Sequence, residues 1–219
     1  MRLVGNILLA FLLPVLPAFA QAPSTSMDVA PTLVRLAPGE AGLFYVTNHG
    51  AAPLTVEMRA MDWRQDAGRD VLSPSSVFFT SPPVVTIAPG VRQSVRLLTE
   101  KPGAYRLLVS ELPDPAADPG RVKVLLQFSV PVFAGDLGTP LVSFSASRNG
   151  AALVLSAVNR GLAPVKLSAP TLGGVILDRG PVYLLPGARR DFSVTGATSL
   201  HLTAHDVLSG RDFDADVAP

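Results

Sequence analysis

Twenty-one prolines and eighteen glycines are spread through the 219 residues without forming a low-complexity repeat. Proline removes a backbone donor and glycine favours turns, so uninterrupted segments are short and helices of three or more turns have little room. Between the punctuation lie runs rich in Val, Leu, Phe and Thr, such as GLFYVTN, LTVEMRAMDW, SVRLLT, YRLLVSEL, ALVLSAVN and RRDFSVTG. Short strands with turn signals between them predict an all-β chain built as β-sandwiches.

The first twenty residues, MRLVGNILLAFLLPVLPAFA, stand apart from that pattern. A basic start, an apolar middle and Ala18-Phe19-Ala20 read as a signal peptide over residues 1–20, with Gln21 the first mature residue. Asn6, Pro14 and Pro17 interrupt the run, which is short for a bilayer span. No other stretch is apolar for long enough, so an exported protein without stable membrane insertion is expected. Loss of Arg2 brings the formal charge from +1 to 0, and no basic run marks a nucleic-acid surface. Cysteine is absent, so the fold rests on hydrophobic cores alone, for which 48% apolar residues suffice.

The roughly 200 residues that follow are about twice what one seven-stranded sandwich needs. Two domains are expected, residues 21–135 and 136–219, divided at the Gly/Asp/Pro cluster AGDLGTP of residues 134–140. An internal echo fits this count: FYVTNHGAAP at 44–53 resembles LSAVNRGLAP at 155–164. Each reads as strand, Asn, Gly turn, Pro and strand, a pattern that a common sandwich hairpin also produces.

Chemistry is sparse. His201 and His205 share a strand face but stand ~13 Å apart, too far to chelate one ion together, and they and His49 read as surface polar residues. No nucleophile elbow, phosphate loop or clustered acid pair is visible, so no enzyme, cofactor or metal is expected. Trp63 reads as a core anchor. Arg106, on a strand among apolar neighbours, reads as solvated or paired with a carboxylate such as Glu111; the alternative is a clamp for a terminal carboxylate.

RVKVLLQFSVPVF, residues 121–133, carries apolar groups on both faces of a strand. Val122, Val124, Leu126, Phe128, Val130 and Val132 share the even face; Leu125 and Phe133 lie on the odd one, with Pro131 better suited to a sheet edge than to its centre. On the residues alone, the even face reads as ordinary core. Alternatively, a long apolar edge awaits a partner strand, because ordinary proteins blunt such edges.

Val46-Thr47-Asn48, Asp62-Trp63, Ser81-Pro82-Pro83, Ile87-Ala88-Pro89-Gly90 with Gln93, Val95 and Arg96, Tyr105-Arg106, Glu111-Leu112-Pro113 and Pro131-Val132-Phe133 follow one another in an order that resembles the periplasmic pilus chaperones of chaperone-usher systems. The resemblance covers residues 27–133 well and the second half weakly. It implies a boomerang of two immunoglobulin-like domains in the periplasm, with pilus subunits and an outer-membrane usher as partners. It also implies donor-strand complementation, in which the chaperone lends an edge strand to a subunit lacking its last one. The loan falls on Val122, Val124, Leu126 and Phe128, while the odd face, through Leu125 and Phe133, holds to its own domain. The rival reading is a secreted structural or adhesive sandwich protein.

Against that family, the basic pair that grips the subunit's terminal carboxylate is missing. Its first position falls near Thr32 or Leu33 and its lysine position on Pro131. This departure and the PVF ending resemble the archaic, Csu-like branch, with Arg106 the first replacement anchor and Arg96 and Arg35 behind it. Of the family's interdomain ionic cluster, Glu111 and Asp206 match, while Gly135 occupies the arginine position.

Overall fold

The computed structural model describes residues 27–114, 124–149 and 152–218. The expected signal peptide, residues 1–20, and Val122 of the expected donor row lie outside the described residues. Among the described residues there is no helix.

Among the described residues, ten strands form before residue 135: β1 (Met27–Ala30), β2 (Val34–Leu36), β3 (Ala41–Asn48), β4 (Leu54–Asp66), β5 (Arg69–Pro74), β6 (Phe78–Ser81), β7 (Val84–Ile87), β8 (Arg92–Thr99), β9 (Gly103–Glu111) and β10 (Gln127–Ala134). One sheet runs β1-β3-β8-β6; the other runs β2-β10-β9-β4-β5, with β7 also pairing β4. Eight further strands follow: β11 (Val142–Asn149), β12 (Ala152–Asn159), β13 (Val165–Leu172), β14 (Val175–Ile176), β15 (Val182–Leu184), β16 (Arg189–Val194), β17 (His201–Asp206) and β18 (Arg211–Asp216). They form the sheets β11-β12-β16 and β14-β13-β17-β18, with β15 beside β13. Among the described residues no sheet combines strands of the two sets, and the all-β, two-sandwich expectation holds.

Alternation decides which face is core. In β3, Phe44, Val46 and Asn48 point inward, and in β8 Val95, Leu97 and Thr99 do the same, while their neighbours face solvent. Phe44, Val46, Val95 and Leu97 meet Val56, Leu107 and Val109 of the facing sheet in one cluster. The second sandwich closes on its own cluster, which includes Leu155, Leu167, Leu184 and Leu202. Each fully buried side chain of this kind contributes roughly 1.5–3 kcal/mol.

The internal echo is matched bond for bond. Asn48 Nδ2 donates to the Ala52 and Ile87 carbonyls, each at 2.9 Å, while its Oδ1 accepts from Gly50 N at 2.8 Å. Asn159 Nδ2 donates to the Ala163 and Leu184 carbonyls at 2.8 and 3.0 Å, and its Oδ1 accepts from Gly161 N at 3.0 Å. Their backbones repeat the pattern with the Pro-Gly turns at Gly90 and Gly187. Both asparagines are fully buried, and a carboxamide is the side chain that supplies two donors and an acceptor from one planar end. The two sandwiches thus share a local plan.

Candidate functional site: the open edge of β10 and the joint

β10 pairs antiparallel with β9 along its whole length, Gln127 opposite Ser110 through Ala134 opposite Gly103. On its other side, β2 covers only Val132–Ala134. Among the described residues, nothing pairs with the outer edge from Gln127 to Pro131. Glu111 N donates to the Leu126 carbonyl at 2.9 Å, so the even residues of β10 turn their backbone groups toward β9. The odd ones face outward, as Gly135 N shows by reaching Leu36 O at 2.8 Å. The backbone groups of Gln127 and Ser129 therefore line the open edge. Pro131 also belongs to this outward set and has no N–H to leave unpaired.

The even row is graded. Val132 and Val130 are buried in the first sandwich's core, and Phe128 and Leu126 are partly buried against it. Val124, next in the row, is 80% exposed. This corrects the expected division of labour between the two faces: the even face is core at its joint end and runs out of the sandwich at the other. Leu125 is exposed instead of holding to its own domain, and Phe133 is buried at the joint instead of in the first sandwich's core. Parity is the reason within β10, since one face of the strand must complete the core it covers, and the row reaches solvent at Val124, before β10 begins.

The joint is built on the odd face of β10. Phe133 joins Trp63 of β4 and Tyr183, Leu185 and Ala188 of the second sandwich in one buried cluster. Trp63 lies 5.8 Å from the Phe133 ring and 5.2 Å, edge-on, from that of Tyr183, within the range of favourable aromatic pairs. Gln65 and the Ala67-Gly68 turn that follows it also reach the second sandwich. Both turn residues have positive φ, 47° and 76°, as a two-residue hairpin turn requires, and a Cβ on Gly68 would meet the Arg189 carbonyl at 3.4 Å.

The three arginines expected as candidate anchors are not brought together. Arg106 is only 9% exposed, with its guanidinium 3.7 Å from the Trp63 ring centre and 4.9 Å from that of Tyr183. Its Nη2 is 3.5 Å from Asp70 and its Nη1 donates to Ser129 O at 3.4 Å. Burial pulls its pKa below the ordinary arginine value, against the opposing pull of Asp70. Arg106 thus has a carboxylate partner, Asp70 in place of the expected Glu111, and it lies buried between the Trp63 and Tyr183 rings. Arg96 is exposed on β8, in the sheet that does not contain β10. Arg35, exposed on β2 opposite Phe133, donates to the Leu208 carbonyl at 3.2 Å. It lines a cleft of about 180 Å³ with Phe133, Leu137, Pro140 and Leu208.

The two acids expected at the joint separate. Glu111 is buried at the end of β9 farthest from Gly103, roughly 26 Å along the strand from the joint, where its Oε2 accepts from Leu126 N at 3.3 Å. That hydrogen bond is made within the first sandwich. Asp206 is fully buried and accepts from Lys166 N at 3.0 Å, Leu208 N at 3.1 Å and the Ser209 hydroxyl, shaping the turn that Arg35 touches. Gly135 cannot supply the missing arginine: its φ is +89°, and a Cβ there would lie 2.9 Å from the Pro102 ring. Gln65 and Asp70, which sequence reasoning missed, carry no local pattern that marks them.

Each histidine pairs with aspartate: His49 with Asp28, His205 with Asp212, and His201 with both Asp214 and Asp216. The Asp216 hydrogen bond raises the His201 pKa, against a smaller opposing effect of burial and with help from the Asp214 charge.

The family described as "Pili and flagellar-assembly chaperone, PapD N-terminal domain" matches residues 26–135. No curated protein sequence matches the chain. Among solved structures, it is similar to a chain of the CsuC–CsuE chaperone–tip adhesion subunit pre-assembly complex from archaic chaperone-usher Csu pili of Acinetobacter baumannii. There the TM-score is 0.70 at 22% identity, covering 89% of this chain and 99% of that one. A chain of the Salmonella enterica SafA pilin–SafB chaperone complex gives 0.70 at 14% identity, covering 90% and 99%. The E. coli chaperone DraB gives 0.65 at 18% identity, covering 88% and 97%.

Proposed function

Since the chain belongs to the pili and flagellar-assembly chaperone family, whose N-terminal domain matches half of it, we propose that it holds pilus subunits by lending them the outer edge of β10. The observation that carries this reading is the graded even row beside an unpaired edge. A subunit strand laid along Gln127–Pro131 gains main-chain bonds to Gln127 and Ser129, and its groove takes the exposed Val124 and the uncovered parts of Leu126 and Phe128, with Val122 the next residue of that parity in the sequence. The work is non-enzymatic: strand pairing and apolar burial supply the binding energy, and another subunit's strand replaces the loan at an outer-membrane usher. The place of action is the periplasm, the domains divide at 135/136, and the missing basic pair supports the archaic branch.

The subunit's terminal carboxylate goes to Arg35. Arg106 is buried and Arg96 lies in the other sheet, whereas Arg35 stands at the mouth of the joint cleft, beside the end of β10. An anchor there fixes register, which matters because a slip of one residue turns every side chain to the wrong face. Arg35→Ala should weaken subunit binding about tenfold or more, as expected for loss of one charge-assisted contact, with Arg35→Lys intermediate. Unchanged affinity in Arg35→Ala would remove it from this role.

Hydrogen exchange tests the loan itself. In the free monomer the Gln127 and Ser129 amides should exchange quickly while those of Val130 and Val132 are protected. Addition of a subunit lacking its last strand should protect all four. Strong protection of Gln127 and Ser129 in the dilute free protein would favour the rival, a secreted structural sandwich.

A further inference from the structure

The apolar cluster at the joint is non-directional, so by itself it does not set the angle between the sandwiches. Gln65 does something more specific. Among the described residues, β15 pairs with β13 on one side only. Lys166, opposite Tyr183, gives its own N–H to Asp206, so Lys166 and Tyr183 turn their backbones away from each other. The Tyr183 carbonyl and the Leu185 N–H are therefore left on the outer edge of β15. The Gln65 carboxamide closes both: Nε2 donates to Tyr183 O at 2.9 Å and Oε1 accepts from Leu185 N at 2.9 Å. One side-chain amide reproduces the pair of bonds that a neighbouring strand would make.

The amide is itself held. The second Nε2 hydrogen goes to Asp70 Oδ1 at 2.8 Å, and Asp70 Oδ2 meets Arg106, which is stacked on Trp63. We propose that Gln65 is the positioning residue that fixes the angle between the sandwiches, acting as a one-residue strand on the free edge of β15. It takes the place of the ionic cluster that Glu111 and Gly135 cannot form. Its consequence for subunit binding rests on the strand-lending reading: the β10 edge and the Arg35 cleft belong to one register only while the joint is fixed.

Glutamine suits this task because it carries donor and acceptor in one plane. Leucine has neither, and glutamate at neutral pH offers only acceptors, to the Tyr183 carbonyl and to Asp70. The chain has no cysteine, so spin labels can be placed uniquely at Ser94→Cys, on the first sandwich, and Ile176→Cys, on the second. The distance distribution between them should be single and narrow in the parent protein and markedly broader in both Gln65→Leu and Gln65→Glu, with far-UV circular dichroism unchanged. A narrow distribution in both variants would overturn the proposal.

Dissociation of a bound pilus subunit, measured on the same variants, should be at least fivefold faster. A broadened distribution with unchanged dissociation would leave the clamp standing and remove its link to subunit capture. Loss of binding to the parent protein itself would instead count against strand lending.

Discussion

Val124→Asp should leave the melting temperature of the isolated protein unchanged and reduce subunit binding about 100-fold or more. The first half follows from exposure: at 80% accessible, Val124 contributes almost nothing to its own fold, and exposed substitutions usually stay within about 0.5 kcal/mol. The second half follows from where the side chain goes in the complex. A valine sunk in the subunit's groove gains roughly 1.5–3 kcal/mol, and an aspartate there loses that gain and adds the cost of a carboxylate with no partner. Every 1.4 kcal/mol is tenfold in affinity. Pull-down of a co-expressed subunit and titration of the purified pair read the effect; equal recovery with the folded variant would sink the strand-lending mechanism. Leu126→Asp should bind as poorly, but with some loss of stability, because Leu126 is already partly buried against its own core.

The second large effect is at the joint. Trp63→Ala should cost about 3–5 kcal/mol, the range for truncating a large buried aromatic. Trp63 is buried, touches the rings of Phe133 and Tyr183, and gives Arg106 the face on which its cation rests. Its removal opens a void between the sandwiches and takes from a nine-tenths buried guanidinium the nearer of its two aromatic faces, leaving it Asp70, the Ser129 carbonyl and the more distant Tyr183 ring. Denaturant melts followed by far-UV circular dichroism should show a lowered midpoint, with Trp63→Phe intermediate. Trp63 is the chain's one tryptophan, so its emission in the parent protein reports the joint directly. A loss below 1 kcal/mol in Trp63→Ala would mean that the joint is not held by this cluster.

Much of the fold was legible because it is written locally. Alternation in GLFYVTN and SVRLLT marked inward and outward residues, and the Asn-Gly-Pro echo marked two equivalent turns that close with the same bonds. The unusual character of 121–133 was also visible, as apolar groups on both faces. The exposed end of its even row needed the sandwich itself, since Val124 and Val130 share one parity and only the extent of the core separates them.

The site divides along the same line. Sequence alone determined that the chain is all-β, in two sandwiches without disulfides, with a strand that asks for a partner, because period and turn chemistry act between neighbours. Only the tertiary structure decided that Arg106 belongs to Asp70, 36 residues away, and that Gln65 reaches Tyr183, 118 residues away. Such contacts join strands through the arrangement of sheets, and neither periodicity nor composition carries a trace of them. The open length of β10 is fixed in the same way, by where β2 starts beside it.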